Sequence, residues 1–199
     1  MDVSVFLEPT IDLKRVAEIL DGLGHEGRVH TTRGWTKKRQ AELYEAAKNV
    51  MPLDLDFFVP SSVGPMVEVI HEGKNTLPMF THFQKRFTKL EGEDFKVGGY
   101  NHQTMSPITG PGYFVVRPID DAEKAEHEGE VAIDYRSLPK SKVASWPEIR
   151  GNDGGFGALV YGGMIDYMRG ISAHVSIGRA YKQGKAMDAW FTLVRKDVS

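Results

Sequence analysis

Residues 173–195 read AHVSIGRAYKQGKAMDAWFTLVR, and this stretch decides the fold. Ala173 to Tyr181 and Ala186 to Arg195 are two strand-like runs rich in β-branched and aromatic residues. Lys182-Gln183-Gly184-Lys185 separates them as a turn, so the whole reads as a β-hairpin. Trp190 and Phe191 are neighbours and point to opposite faces of the second strand. Both faces of that strand carry apolar groups, which suits a central or barrel-closing strand rather than a free edge.

Working back toward the N-terminus, Tyr113 to Arg117 and Val131 to Tyr135 are further strands. The acidic segment between them reads as a solvated loop. Met66 to Ile70 reads as a strand, with Glu72-Gly73-Lys74-Asn75 as a turn. Met79 to Leu90 fits a helix through Met79, Phe83, Phe87 and Leu90. Met79, Thr81, Phe83, Lys85 and Phe87 fit a strand less cleanly, and periodicity alone does not choose between the two. Ser141 to Gly157 is a long loop, and the four-residue spacing of Val160, Met164 and Met168 predicts a short helix near 160–169.

The first 52 residues are mainly helical. Asp12 caps a helix whose Leu13, Val16, Leu20 and Leu23 share one face, and Gly22 and Gly24 end it. Thr36 caps a second helix after Trp35, which must stop before Pro52. The expected fold is therefore α+β, in one domain spanning 1–199. N-terminal helices precede a curved antiparallel sheet or small lipocalin-like β-barrel of roughly six to eight strands across 65–199.

Composition narrows the function. The chain has 199 residues, a net charge of -2 and no cysteine. Disulfides, cysteine-ligated zinc and a thiol nucleophile are excluded, and no excess charge attracts nucleic acid. No stretch has the length of a membrane span, and the N-terminus lacks the marks of a signal peptide, so a cytoplasmic location is expected.

Seven histidines are present. His25 and His30 are five apart, where a zincin helix needs four, and Gly24 and Gly27 argue against a helix there. The tripeptide His-Glu-Gly recurs at His71 and His127, and all three copies read as exposed turn tips. The glycines of 151–157 match neither a phosphate loop nor a dinucleotide fingerprint. Ser176 sits mid-strand, not on a nucleophile elbow. No metal or cofactor motif is found. The run Lys37-Lys38-Arg39 is a solvated face.

Val160-Tyr161, Ile165-Asp166 and Arg169, followed by the hairpin and Phe191-Thr192-Leu193-Val194-Arg195, carry a resemblance to known proteins. Residues 158–196 resemble the closing segment of lipocalin-like domains that carry the GXWXG motif. No tryptophan precedes Glu72-Gly73-Lys74, so no functional residue transfers. The resemblance implies a small antiparallel barrel with an interior pocket.

Small barrels often hold one apolar ligand. The first expectation is thus a protein binding a small lipophilic or aromatic molecule. Tyr113, Arg117, Tyr135 and Arg136 are its binding residues, with Arg117 gripping an acidic head. That placement assumes Arg117 opposite Val131 in the strand pair. The alternative is an isomerase, cyclase or lyase using His82 or His102 as base, with Asp134 and the arginines as charge partners. A third reading is an interaction subunit whose aromatic surface forms a homo-oligomer.

Overall fold

The computed structural model describes residues 11–78, 81–103, 110–152, 154, 158 and 160–198. Met79 and Phe80 of the stretch open to a helix or a strand, and Asp153 and residues 155–157 of the expected loop, lie outside these. Eight strands form a closed barrel: β1 (Val69–Asn75), β2 (His82–Lys89), β3 (Val97–His102), β4 (Tyr113–Pro118), β5 (Val131–Asp134), β6 (Met164–Gly170), β7 (Val175–Lys182) and β8 (Lys185–Arg195). Each strand runs antiparallel to the next, and β8 returns to pair with β1. The β7–β8 turn places Gln183 and Gly184 at φ 52° and 73°. Both central residues in the left-handed region make the tight hairpin connection that matches strand twist.

Inward residues alternate with outward ones along every strand. Val69, Phe87, Val97, Phe114, Val116, Ile133, Met168 and Leu193 belong to one buried cluster inside the barrel. Gly73 and Gly178 make room for it. A Cβ on Gly73 would stand 2.6 Å from the Phe83 ring, and one on Gly178 would stand 2.5 Å from the Phe191 ring.

Three helices cover the outside of β7 and β8: α1 (Leu13–Asp21), α2 (His25–Arg33) and α3 (Lys37–Ala46). Asp12 and Thr36 cap α1 and α3 by accepting from the amides of Arg15 and Arg39. Leu13, Val16, Leu20 and Leu43 pack on Val175, Ile177 and Val194, with Trp190 beside them. This is why β8 is apolar on both faces. Arg169, on the outer face of β6, ties α3 down. It donates to Glu130 at 2.8 Å and to the Tyr44 carbonyl at 2.7 Å, over the Tyr44 ring.

One end of the barrel is plugged. Asp54 caps a single turn, α4 (Leu55–Phe58), by accepting from the Phe57 amide. Leu53, Phe57, Phe58 and Val59 enter the interior cluster. Lys89 donates to the carbonyls of Pro60, Ser61 and Val63 and holds the chain that follows.

Several sequence expectations are corrected. Residues 25–33 form α2 despite Gly27, because the packing of Val29 outweighs a glycine penalty of about 1 kcal/mol. His71 and His127 are buried rather than exposed, His71 inside the barrel and His127 in the short helix α5 (Lys124–His127). The stretch that fits both a helix and a strand by its periodicity is a strand over His82–Lys89. Of the helix expected near 160–169, the described residues are helical at 158, 160 and 161, and β6 starts at Met164. A spacing of four suits both periods: Met164 and Met168 share a strand face as readily as a helix face. The β4–β5 pairing also differs by one residue. Arg117 pairs with Ala132, and Val116 with Ile133. Ile133 and Tyr135 thus turn inward with Phe114 and Val116, while Tyr113, Val115 and Arg117 turn outward with Asp134.

His71 joins the barrel to its plug. Its ring stacks on Phe58 at 5.9 Å, and Nε2 donates to the Phe58 carbonyl at 3.0 Å. Nδ1 has no partner among the described residues. Burial, opposed by the Phe58 hydrogen bond, lowers the pKa of His71 from 6.5 to about 3. Below its ordinary pKa the unfolded chain takes up a proton that the folded chain refuses, so stability falls as pH drops through that window. Between pH 7 and pH 4 this group alone should remove about 3 kcal/mol. Urea unfolding of the protein and of His71→Gln at both pH values checks this: the variant should lose less stability on acidification by about that amount.

Candidate functional site

Opposite the plug, the barrel opens into a cavity of about 270 Å³. Phe83, Tyr161, Met164, Trp190 and Phe191 supply apolar walls. Its floor is polar: Lys85 from β2, Asn101 from β3, Tyr135 just after β5 and Asp166 from β6. All four are inward-facing residues of neighbouring or facing strands, so closure of the barrel is what brings them together.

Lys85 is only 2% exposed. Its ammonium donates to Asn101 Oδ1 at 3.0 Å, to Asp166 Oδ2 at 3.1 Å and to the Tyr135 hydroxyl. Tyr135 donates in turn to Asp166 Oδ2 at 3.2 Å and accepts from Asn101 Nδ2 at 2.9 Å. The rings of Phe114, Tyr135 and Phe191 lie 5.1, 4.9 and 5.0 Å from Nζ. Burial pushes Lys85 down and Asp166 up, and their mutual attraction opposes both shifts. Three acceptors and the rings of Phe83, Phe114, Tyr135 and Phe191 surround the nitrogen and favour its charged form against that burial. Burial and the charge on Asp166 drive Tyr135 well above the ordinary phenol range, so it stays protonated and acts as a donor.

The network has one loose end. Asp166 Oδ1 is buried and has no hydrogen-bond partner among the described residues. A buried carboxylate oxygen without a donor costs roughly 1–3 kcal/mol or more. Asp166 is among the residues that line the cavity, and Oδ1 is its unsatisfied acceptor.

Of the residues singled out from the sequence, Tyr135 lies in this cluster. Tyr113 faces outward, stacks near Tyr100 and Trp146, and donates to the Pro147 carbonyl. Arg117 is on the outer wall. It donates to Glu123 at 2.7 and 2.8 Å and to Asp134 at 3.0 Å. Arg136 donates to Asp134 at 2.7 Å. Burial would raise Glu123, but hydrogen bonds from Arg117 and Tyr167 bring it down to about 2. Burial likewise opposes the hydrogen bonds of Arg136 and Arg117 that hold Asp134 below its usual range. The charge of Arg117 is thus matched by three carboxylates, Glu123 and Asp134 by hydrogen bonds and Asp120 at 3.9 Å. His82 and His102 line an open groove on the outer wall together with Glu72, Arg86 and Tyr100. Burial and nearby cations lower both: Arg33 and Lys74 act on His82, Arg86 on His102. His102 Nδ1 lies 3.4 Å from the Tyr100 hydroxyl.

Sequence reasoning missed Lys85, Asn101 and Asp166. The signal was there for Lys85: it stands between Phe83 and Phe87 on the inward face and spoils the strand pattern. A polar residue that breaks a local rule on a core face is where a site is expected.

Among the described residues no three histidines or carboxylates converge as metal ligands, and no helix is long and apolar enough to cross a membrane. No family model, no curated protein and no solved structure matches this chain.

The Lys85–Asp166 pair should behave as a coupled unit. Lys85→Met leaves Asp166 buried without a counter-charge and should cost about 3–5 kcal/mol. Lys85→Met/Asp166→Asn keeps both shapes without either charge and should recover about 2 kcal/mol of that loss. Urea unfolding of the wild type, both single variants and the double variant measures the coupling.

Proposed function

We propose that the protein binds one small lipophilic or aromatic molecule in the barrel cavity, with a hydrogen-bond donor of that molecule directed at Asp166 Oδ1. The aromatic-walled cavity carries this reading, with Asp166 in its lining and the buried Oδ1 of that residue unpartnered among the described residues. An apolar cavity of about 150 Å³ takes a benzene ring. The 270 Å³ here suits a molecule of about two fused rings. The closed eight-stranded barrel supports the same reading, since barrels of this size hold single small ligands. So does the resemblance of residues 158–196 to lipocalin-like domains.

The polarity of the ligand follows from the network. Every N–H of Lys85 is already committed, and Arg117 stands on the outer wall. The cavity therefore favours a hydroxyl or an amine over an acidic head group. Tyr135 remains a binding residue from the original four, joined by Lys85, Asn101 and Asp166.

The test compares 2-naphthol with 2-methylnaphthalene, which has the same shape and no donor. Titration followed by ligand fluorescence should show 2-naphthol binding about tenfold tighter, as a hydrogen bond to a charged acceptor is worth roughly 1.5–3 kcal/mol. Equal affinities, or no binding of either compound, would overturn the assignment.

A further inference from the structure

Where β8 ends beside the plug, two arginines stand near one carboxylate. We propose that this end of the barrel carries a further binding site, for a phosphate-type dianion, and that the Asp197 carboxylate holds the place of that ligand. The site is separate from the cavity and does not depend on what binds there.

Arg28 of α2 is only 3% exposed. Its guanidinium donates to the Leu23 carbonyl at 2.6 Å and to Asp197, while Nε is buried and unpartnered among the described residues. Arg195, the last residue of β8, donates to the carbonyls of Phe57 and Ala173 and lies 5.4 Å over the Phe57 ring. Both acceptors are neutral, and its Nε too is buried and unpartnered among the described residues. Burial lowers the pKa of Arg195; Asp197 opposes the shift and Arg28 adds to it. His174, just before β7, has Nδ1 3.4 Å from Asp197 Oδ1 and makes no hydrogen bond there. Burial, Arg28 and Arg195 lower its pKa, and Asp197 and Asp21 oppose them.

Charge and access define the ligand. Two permanent guanidinium charges and an imidazole meet the single charge of Asp197, since Asp21 already accepts from the Ala173 amide at 3.0 Å. A monoanion leaves one guanidinium charge unmatched in a partly buried place, where that is costly. A dianion matches both. The two idle Nε atoms show that the guanidiniums are short of acceptors, and phosphate oxygens suit the arginine fork. Asp197 itself shows the access. Its side chain is 55% exposed, and its carboxylate already binds Arg28 Nη2 beside His174 Nδ1. A ligand in its place meets the same two atoms from solvent. Asp197 lies past the end of β8, so moving it aside breaks no strand pairing.

The probes are inorganic phosphate, methyl phosphate and acetate. Each is titrated by calorimetry into the wild type and Asp197→Asn, at fixed ionic strength and mildly alkaline pH, where the phosphates are mostly dianionic. Asp197→Asn should bind phosphate roughly tenfold tighter than the wild type, because a tethered competitor acts like a ligand at millimolar concentration. In that variant phosphate should exceed acetate by roughly tenfold, through its second charge. Methyl phosphate binding at least as tightly as phosphate would support the site with a monoester as its ligand. Weaker binding of the ester would support it with the free ion. Arg28→Gln/Asp197→Asn removes both partners of the ion pair and should bind none of the three. If it does not fold, proton NMR of Asp197→Asn takes its place. Phosphate should shift the ring signals of His174, assigned with His174→Gln, and leave those of His82 and His102 unmoved. Phosphate affinity unchanged by Asp197→Asn, acetate binding as tightly as phosphate, binding that survives the loss of Arg28, or shifts that spare His174 would each overturn the proposal.

Discussion

Closure of the sheet between β8 and β1 is the constraint on which the rest depends. An open sheet of these strands would expose an unpaired edge and leave its inner face in water. Pairing Gly73 with Leu193 and His71 with Arg195 removes the edge and encloses the inner face. Closure also fixes the interior width. The rings of Phe83 and Phe191 fit only because glycine stands on the neighbouring strands, at Gly73 and Gly178. At the other end, Phe58 and its neighbours fill what the strands leave empty. The end away from this plug holds the cavity.

Inside such a closed space a charge has few options. Water cannot solvate it freely, so Lys85 and Asp166 must satisfy one another. The desolvation of a buried ion pair commonly matches or exceeds its attraction, so the pair is weak evidence for stability. An apolar pair would fill the same volume with less risk. The ion pair stands in the lining of the cavity, with a carboxylate oxygen left over. The contrast with the outer wall is instructive. There Arg117, Glu123, Asp134 and Arg136 saturate one another beside solvent, and no acceptor is left wanting.

The helices serve the barrel rather than the cavity. They bury the outward apolar residues of β7 and β8, and Arg169 with Glu130 and Tyr44 locks α3 against β6. His71 does the same for the plug, through a hydrogen bond to the Phe58 carbonyl and a stack on the Phe58 ring. The two buried polar clusters at Lys85 and Arg169 thus sit on opposite sides of the same wall. One faces the cavity, and the other holds the wall to its cover.

The sequence by itself determined the local elements whose signals are short-range. The C-terminal hairpin was legible because its turn residues and alternating apolar pattern agree. The caps at Asp12 and Thr36 were legible because a side-chain acceptor followed by an apolar stripe has few other readings. The double-faced apolarity of β8 foretold a strand covered on both sides. What only the tertiary structure decided were the features set by partners far along the chain. The β4–β5 register shifted by one residue and carried Tyr135 inward and Arg117 outward, because strand pairing is fixed across the whole closed sheet and not by the loop alone. The stretch from Met164 became a strand because a four-residue spacing satisfies both periods and only neighbouring strands choose between them. The cluster of Lys85, Asn101, Tyr135 and Asp166 spans four strands, and 81 residues of chain separate Lys85 from Asp166. No local pattern encodes that meeting; it exists only once the sheet has closed on itself.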